Sequence, residues 1–342
     1  MQMFQRILTG TAAALVLLPA LASQSLAEPR VVASIKPVHS LVAAVMEGVG
    51  TPDLIVGGAA SPHSYALKPS QAGALETADL VFWIGHELET FLEKPIETIG
   101  AKARVVELID AAGLVKLPFR TGGAFEAHSH DAHQGEEDHA DHDTHEDHAD
   151  HDTHDDHAGT GHDTADDHDH HGEFDAHVWL DPENAKVFTR TIANVLSETD
   201  PSNAAAYATN AARLEAQLDR LIRETAATLA PVRGKGFIVF HDAYQYFESR
   251  FGIAAAGSVT VNPDVRPGAE RIAAIQDTIK SLGATCVFAE PQFESRLVEV
   301  ASEGTNARTA TLDPLGATLD DGPTLYFELI SGMAGSMRDC LA

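Results

Sequence analysis

Short apolar runs alternate with helix-like segments along the chain, and this alternation restricts the fold more than any other feature of the sequence. In the first third, the runs that we predict as strands are residues 31–35, 53–56, 80–84 and 104–108. The segments between them carry apolar residues at a helical period, as after His39 and over residues 70–77. Apolar strands that alternate with helices favour parallel sheets covered on both faces. We therefore predict an α/β protein.

The same alternation returns in the last third, where the predicted strands are residues 237–240, 285–289 and 309–312. Between the two sets, Asp200-Pro201 begins a predicted helix that keeps its apolar period up to Leu229. A helix of about 30 residues is about 45 Å long, which is enough to span two lobes. We predict two Rossmann-like lobes, residues 28–200 and 231–342, joined by a linking helix over residues 201–230.

A tract rich in histidine and aspartate interrupts the first lobe. Between His128 and His171 there are 14 of the 19 histidines, 16 acidic residues and no Lys or Arg. Seven of these histidines recur at every third position, namely His139, His142, His145, His148, His151, His154 and His157. Such a segment buries too little apolar surface to offset its chain entropy. We predict that residues 121–172 form a disordered insertion.

After the tract, residues 176–180 form an apolar run that we predict as strand-like, and Asp181-Pro182 predicts the start of a helix. The formal net charge of -28 is concentrated in the tract, since the rest of the chain carries 35 acidic and 23 basic residues. A surface of this sign repels the phosphate backbone, so we expect no nucleic-acid partner.

The first 27 residues have the features of a secretory signal peptide. Arg6 precedes an apolar stretch, and Ser25-Leu26-Ala27 supplies a small-x-small cleavage end. Pro19 breaks the apolar stretch, which argues against a membrane anchor, and no cysteine follows the signal to carry a lipid. We expect a freely soluble protein of the periplasm from which residues 1–27 are removed.

The chain has two cysteines, Cys286 and Cys340. In an oxidising compartment such a pair is expected to form a disulfide, with two buried free thiols as the alternative.

Polar residues with metal-binding side chains lie at the ends of the predicted strands. His63 follows the second strand, while His241, Glu290 and Asp313 follow the three strands of the last third, and His177 lies in the strand-like segment after the tract. Ligands of open parallel sheets collect beyond the carboxyl ends of the strands. Three imidazoles with a carboxylate or a water suit tetrahedral zinc. Taken singly, each residue has an ordinary alternative as a turn or loop residue, so the prediction depends on their combination.

Seven segments carry a resemblance to a known family. They are VVASIKPVHSLVAAV, GGAASPHSYALKPSQAGALETADLVFWIGHELETFL, HVWLDPENA, VFHDAYQYFESRFG, NPDVRPGAERI, TCVFAEPQFE and TLDPLG. Together they resemble the zinc-specific members of cluster A-I, the periplasmic solute-binding proteins of ABC importers. The resemblance spans the predicted mature chain, and a histidine-rich acidic insertion is itself typical of the zinc members.

The resemblance implies that His63, His177 and His241 are the three histidine ligands of a zinc ion. Asp313 matches the carboxylate that supplies the fourth ligand in many relatives, with water as the alternative in zinc members. Glu290 is expected near the site, either behind a ligand or as a substitute ligand. Manganese members carry a glutamate at the position of His241, so this histidine favours zinc.

The resemblance also implies a Cys286–Cys340 disulfide and a metal cleft between two lobes that one rigid helix joins, so that motion is limited to small tilting. His39 and His86 match no ligand position of the family. We expect His39 near the start of a helix and His86 on the surface.

The expected function is the capture of Zn²⁺ with high affinity and its delivery to the permease and ATPase subunits of an ABC importer. The protein would act as a monomer without catalytic activity. The alternative is a secreted zinc-dependent hydrolase, because three protein ligands plus water is also a catalytic arrangement. The sequence lacks an H-E-x-x-H helix and a G-x-S-x-G elbow, which argues against that alternative.

For the histidine-rich tract we expect a low-affinity collector or sensor of zinc, with a solvated linker as the alternative. In an extended polyproline II conformation, histidines three positions apart lie about 9 Å from one another. Neighbours at that distance share an ion only after the chain bends.

Overall fold

The computed structural model describes residues 28–120, 125, 174–260, 263 and 267–342, and within them lie two parallel sheets. The predicted signal peptide lies outside the described residues, as does the predicted disordered insertion apart from Phe125. No helix among the residues that the structure describes is long and apolar enough to cross a membrane.

The first sheet has four parallel strands in the order β2-β1-β3-β4. The strands are β1 Val31–Ile35, β2 Asp53–Val56, β3 Leu80–Trp83 and β4 Arg104–Glu107. The helices that connect them are α1 Lys36–Val45, α2 Pro69–Thr77 and α3 Thr90–Thr98. Every side chain of the inner strands β1 and β3 is buried, as expected for a sheet covered on both faces.

The second sheet repeats this arrangement in the order β6-β5-β7-β8, again with parallel pairing throughout. The strands are β5 Phe237–His241, β6 Gly257–Thr260, β7 Cys286–Ala289 and β8 Arg308–Thr311. The helices of this part of the chain are α6 Gln245–Phe251, α7 Ala269–Leu282, α8 Arg296–Ser302 and α9 Leu325–Leu341. The α/β class and the parallel sheets predicted from the sequence are confirmed. Strand β6 was missed, because its four residues include Gly257 and two hydroxyl side chains.

Two further helices, α4 Pro182–Thr199 and α5 Ala204–Leu229, follow one another between the sheets in the chain. Asp181 caps α4, since its Oδ1 accepts the N–H of Glu183 at 2.9 Å. Helix α5 has 26 residues and is about 39 Å long at 1.5 Å per residue. It begins after a 3-10 turn at Pro201–Asn203, so the predicted long helix is confirmed with a later start.

Helix α5 contacts elements of both halves of the chain. Leu214, Leu218 and Leu221 are buried against its neighbours, which include α1, α4 and α9. Each fully buried leucine contributes about 1.5–3 kcal/mol relative to an exposed one. Near its start, the Asn210 side chain donates to the carbonyls of Val45 and Glu47 at 3.0 and 2.8 Å.

The two sheets share one apolar core and are also tied by direct hydrogen bonds. The Tyr326 N–H of α9 donates to Ser40 Oγ of α1 at 3.0 Å, and the Lys36 ammonium donates to the Leu319 carbonyl at 2.7 Å. Most buried apolar side chains of both halves belong to a single continuous cluster. A disulfide joins Cys286 of β7 to Cys340 of α9, with an S–S distance of 2.08 Å, so the predicted pairing is confirmed.

Candidate metal centre

His63 is held by a short turn beyond the end of β2. The chain leaves β2 at Val56 and forms a 3-10 turn at Pro62–Ser64, and Ser61 Oγ accepts the His63 N–H at 3.2 Å. Pro62 restricts the backbone at the first position of the turn. The imidazole therefore lies at the carboxyl edge of the first sheet.

His177 immediately precedes a 3-10 turn at Val178–Leu180, where the sequence had predicted a strand-like segment. That prediction is wrong, because the apolar side chains are buried by packing in the core and not by pairing in a sheet. Asp175 holds His177 twice: its Oδ1 accepts the backbone N–H at 3.0 Å and lies 2.7 Å from the ring Nδ1.

His241 is the last residue of strand β5, one residue beyond the predicted strand end. Its ring Nδ1 lies 2.7 Å from Oε1 of Glu290, which follows β7, the neighbour of β5 in the sheet. The carboxyl ends of two adjacent parallel strands thus supply the imidazole and the carboxylate that orients it.

The three imidazoles meet in one place. The centroid of the His177 ring is 5.5 Å from that of His63 and 5.2 Å from that of His241, and the His63 and His241 centroids are 5.7 Å apart. One nitrogen of each ring lies within 4.8 Å of the others. The Nε2 atoms of His177 and His241 are 3.3 Å apart. His177 and His241 are buried, while His63 is partly exposed.

The pKa values of His63 and His241 are shifted in opposite directions. Burial, with smaller effects of His177 and His241, holds the pKa of His63 well below its ordinary value of 6.5. Burial also disfavours the charged form of His241, but the Glu290 carboxylate outweighs it and raises the pKa of His241. Aromatic rings pack against two of the imidazoles. The centroid of the His177 ring is 5.2 Å from that of Trp179, and the centroid of the His241 ring is 5.9 Å from that of Phe293.

Asp313 is not part of this group of ligand atoms. It follows β8, as predicted, but its carboxylate organises its own loop. Oδ1 accepts the Gly316 N–H at 2.9 Å and the Gln292 side-chain amide at 3.0 Å, and Oδ2 accepts the Ala317 N–H at 2.6 Å. Its role as the fourth ligand stays a prediction, as does the substitute-ligand role of Glu290, which contacts His241 instead.

The other histidines are His39 and His86, which the structure describes, and those of the tract. His39 lies within α1, as expected, and its ring Nε2 is 3.0 Å from the Pro52 carbonyl oxygen. His86 was expected on the surface, but its side chain is only 29% exposed and contacts two glutamates. The seven regularly spaced histidines of the tract, His139 to His157, lie outside the described residues.

Sequence reasoning missed Asp175 as the partner of His177. The Asp-x-His spacing was a usable signal, because a carboxylate two residues before a ligand histidine can reach its Nδ1.

The chain is similar to known zinc-uptake proteins along most of its length. A family model for ZnuA, described as zinc-uptake complex component A, periplasmic, matches residues 31–340. The chain belongs to this family. The high-affinity zinc uptake system protein ZnuA of Brucella abortus (strain 2308) is 60% identical to the chain over 311 residues, covering 91% of each protein. The protein of the same description from Paracoccus denitrificans (strain Pd 1222) is 43% identical over 314 residues, covering 92% of each.

Solved structures of the ZnuA family share the fold. A crystal structure of ZnuA aligns with a TM-score of 0.70 at 23% identity, covering 92% of this chain and 99% of that one. A zinc-bound ZnuA mutant described as a 138–173 deletion aligns with a TM-score of 0.68 at 23% identity, covering 92% of this chain and 98% of that one. At this level of identity the likeness establishes the two-sheet architecture.

Proposed function

We propose that this chain captures Zn²⁺ with high affinity in the periplasm and delivers it to an ABC importer, with His63, His177 and His241 as its protein ligands. Membership of the zinc-uptake component A family supports the transport role. The family consists of transport components and not of enzymes, so the hydrolase alternative is not retained.

One observation carries the ligand assignment. The Nδ1 atoms of His177 and His241 each face a carboxylate oxygen at 2.7 Å, which assigns the ring proton to Nδ1 and leaves Nε2 as an acceptor on both rings. These two acceptors are only 3.3 Å apart. Two zinc–imidazole bonds of about 2.05 Å at a tetrahedral angle separate their nitrogens by about 3.3 Å. A zinc ion bound between them therefore satisfies both nitrogens with little movement.

The donor set favours zinc over harder cations. Imidazole nitrogen suits Zn²⁺, whereas Mg²⁺, Ca²⁺ and Mn²⁺ favour carboxylate and carbonyl oxygens. The carboxylates of Asp175 and Glu290 lie behind the rings and raise the basicity of the nitrogens that face the ion. Water is the favoured fourth ligand, since the group of potential ligand atoms around the three imidazoles contains no carboxylate of the described residues.

The proposal also includes the location of the protein in the cell and the proteins that receive the zinc. The signal-like residues 1–27 direct the chain to the periplasm, where it acts as a monomer. The receiving proteins are a membrane permease and its ATPase. The tract histidines His139 to His157 bind further zinc weakly.

The ligand assignment is tested with the single variants His63→Ala, His177→Ala and His241→Ala, and with His154→Ala as a matched control in the tract. We expect wild type and the control to hold one tight zinc in competition with a chromophoric chelator. Each of the three variants should bind that zinc at least about 100-fold more weakly, since even loss of an orienting partner costs 10–100-fold. Circular dichroism checks that each variant is folded. An unchanged tight equivalent in the three folded variants would contradict the assignment.

A further inference from the structure

A second group of potential ligands lies at the carboxyl ends of β3 and β4. It consists of His86, Glu87 and Glu107, each of which offers one ligand atom within 4.8 Å of the others. The His86 ring is placed between the two carboxylates, with Nδ1 3.0 Å from Glu107 Oε1 and Nε2 3.3 Å from Glu87 Oε1. The three-histidine centre uses none of these residues.

The backbone brings the two carboxylates together. Gly85 has a φ of +154°, a conformation that favours glycine. A Cβ at this position would lie 2.5 Å from Glu107 Oε1 and 3.1 Å from Glu87 Oε2. The His86 N–H also donates to Glu107 Oε1 at 3.2 Å, so the missing side chain at position 85 lets both carboxylates approach the loop.

The cluster has more negative charge than its own residues neutralise. Among the ion pairs of the described residues, Glu87 and Glu107 each pair with His86 and with no Lys or Arg. Within the same residues, Glu87 Oε2 is buried and has no hydrogen-bond partner. Two carboxylates that share one imidazole are stabilised by an added cation.

We propose that His86, Glu87 and Glu107 form a second site for a divalent transition-metal ion, with Zn²⁺ as the expected occupant. One imidazole nitrogen with two carboxylate oxygens suits a metal of intermediate softness better than Ca²⁺ or Mg²⁺. The three side chains are 29%, 16% and 26% exposed, so water completes the coordination. Because two partly exposed carboxylates take the place of two of the imidazoles present in the three-histidine centre, this site binds zinc more weakly than that centre.

The second site lies at the same edge of the first sheet as His63. The carboxyl ends of parallel strands lie at one edge of a sheet, and His63 follows β2 in the same sheet as β3 and β4. The second site therefore holds an ion at the edge of the sheet that supplies His63. It requires no residue of the three-histidine centre, so either site can fail without the other.

The test uses the full mature chain with ¹⁵N-labelled histidine, so that each ring is followed separately from the tract histidines. The signal absent from His86→Gln identifies His86. We expect zinc added beyond the first tight equivalent to shift or broaden the His86 signal, and Ca²⁺ at the same concentration to leave it unchanged. The variant Glu107→Gln should require at least about tenfold more zinc for the same effect, as loss of a ligand carboxylate weakens the site. The control Glu97→Gln, an exposed glutamate of α3, should behave as wild type.

Two results would overturn the second site. One is a His86 signal that stays unmoved by millimolar zinc while the rings of the three-histidine centre respond. The other is an equal zinc requirement in Glu107→Gln and Glu97→Gln. A failure of the three-histidine assignment is distinguishable, because it appears in the signals of His63, His177 and His241.

Discussion

At the level of single residues, carboxylates that contact Nδ1 orient two of the three candidate ligands, His177 and His241. Asp175 and Glu290 each lie 2.7 Å from the Nδ1 of one imidazole and so direct the opposite nitrogen into the cleft. His63 is oriented through its backbone, by Ser61, and burial keeps its ring in the neutral form that binds metal. The three rings therefore depend on different supporting groups.

The variant Glu290→Gln should bind zinc about 10–100-fold more weakly near neutral pH, because the amide no longer raises the basicity of His241. Its pH dependence should also change. In wild type, Glu290 raises the pKa of His241, so protons compete with zinc as the pH falls through a value above 6.5. Without that charge, the pKa of His241 falls, so proton competition begins at a lower pH than in wild type.

Chelator competition across about pH 5–8, the range in which imidazole titrates, measures both effects. Glu299→Gln, an exposed glutamate of α8, is the matched control. Identical pH profiles for Glu290→Gln and wild type would refute the role of Glu290.

At the scale of elements, the two ends of the insertion are attached to the helix that follows His241. Pro118 and Phe174 form an antiparallel bridge, and the Leu117 N–H donates to Tyr246 Oη in α6 at 2.9 Å. Next to them, the Arg120 guanidinium pairs with the buried carboxylates of Asp242 and Glu248. The segments on either side of the tract are thereby fixed close to β5 and α6.

We expect Arg120→Met to lower the free energy of unfolding by about 3 kcal/mol or more, because it leaves two buried carboxylates without their cation. Their side chains are 5% and 3% exposed. Arg104→Met is the matched control, since Arg104 pairs with Glu198 on the surface and such pairs contribute about 1 kcal/mol or less. Urea denaturation of both variants measures the difference. An equal decrease in the free energy of unfolding of the two variants would contradict the larger contribution expected of Arg120.

At the scale of the whole molecule, the metal centre exists only because two sheets are held against each other. His63 follows a strand of the first sheet, His241 ends a strand of the second, and His177 lies in the chain between them. The Trp179 indole N–H donates to the Pro314 carbonyl at 2.9 Å, which ties the turn after His177 to the loop after β8. Because of this shared core and such bonds, we expect metal binding to cause small adjustments and not wide hinge opening.

Deletion of residues 126–172 should leave one tight zinc site and remove only weak ones, because Arg120, Phe125 and all three proposed ligands are retained. Zinc titration by calorimetry counts both classes of site in wild type and in the deletion variant. Loss of the tight site from a folded deletion variant would refute the three-histidine assignment.

The elements that could be predicted from the sequence are those specified by residues close together in the chain. Buried parallel strands are continuous apolar runs, as in β1 and β3, and the leucine seam of α5 has a clear helical period. Asp181-Pro182 marked the start of α4 because a cap and a proline act on the adjacent backbone alone. Strand β6 and the turn after His177 were missed or wrong, since pairing and packing with distant segments decide them.

The α/β class, the long helix and the candidate ligands His63, His177 and His241 could be predicted from the sequence, because short-range periodicity and family motifs encode them. Which side chains contact one another depends on the tertiary fold. It paired His241 with Glu290, 49 residues away, and Arg120 with Asp242, 122 residues away. It also placed His86 between two glutamates and left Asp313 bonded within its own loop. Such contacts depend on the order of the strands in each sheet and on the packing of the two sheets, which no local pattern of residues specifies.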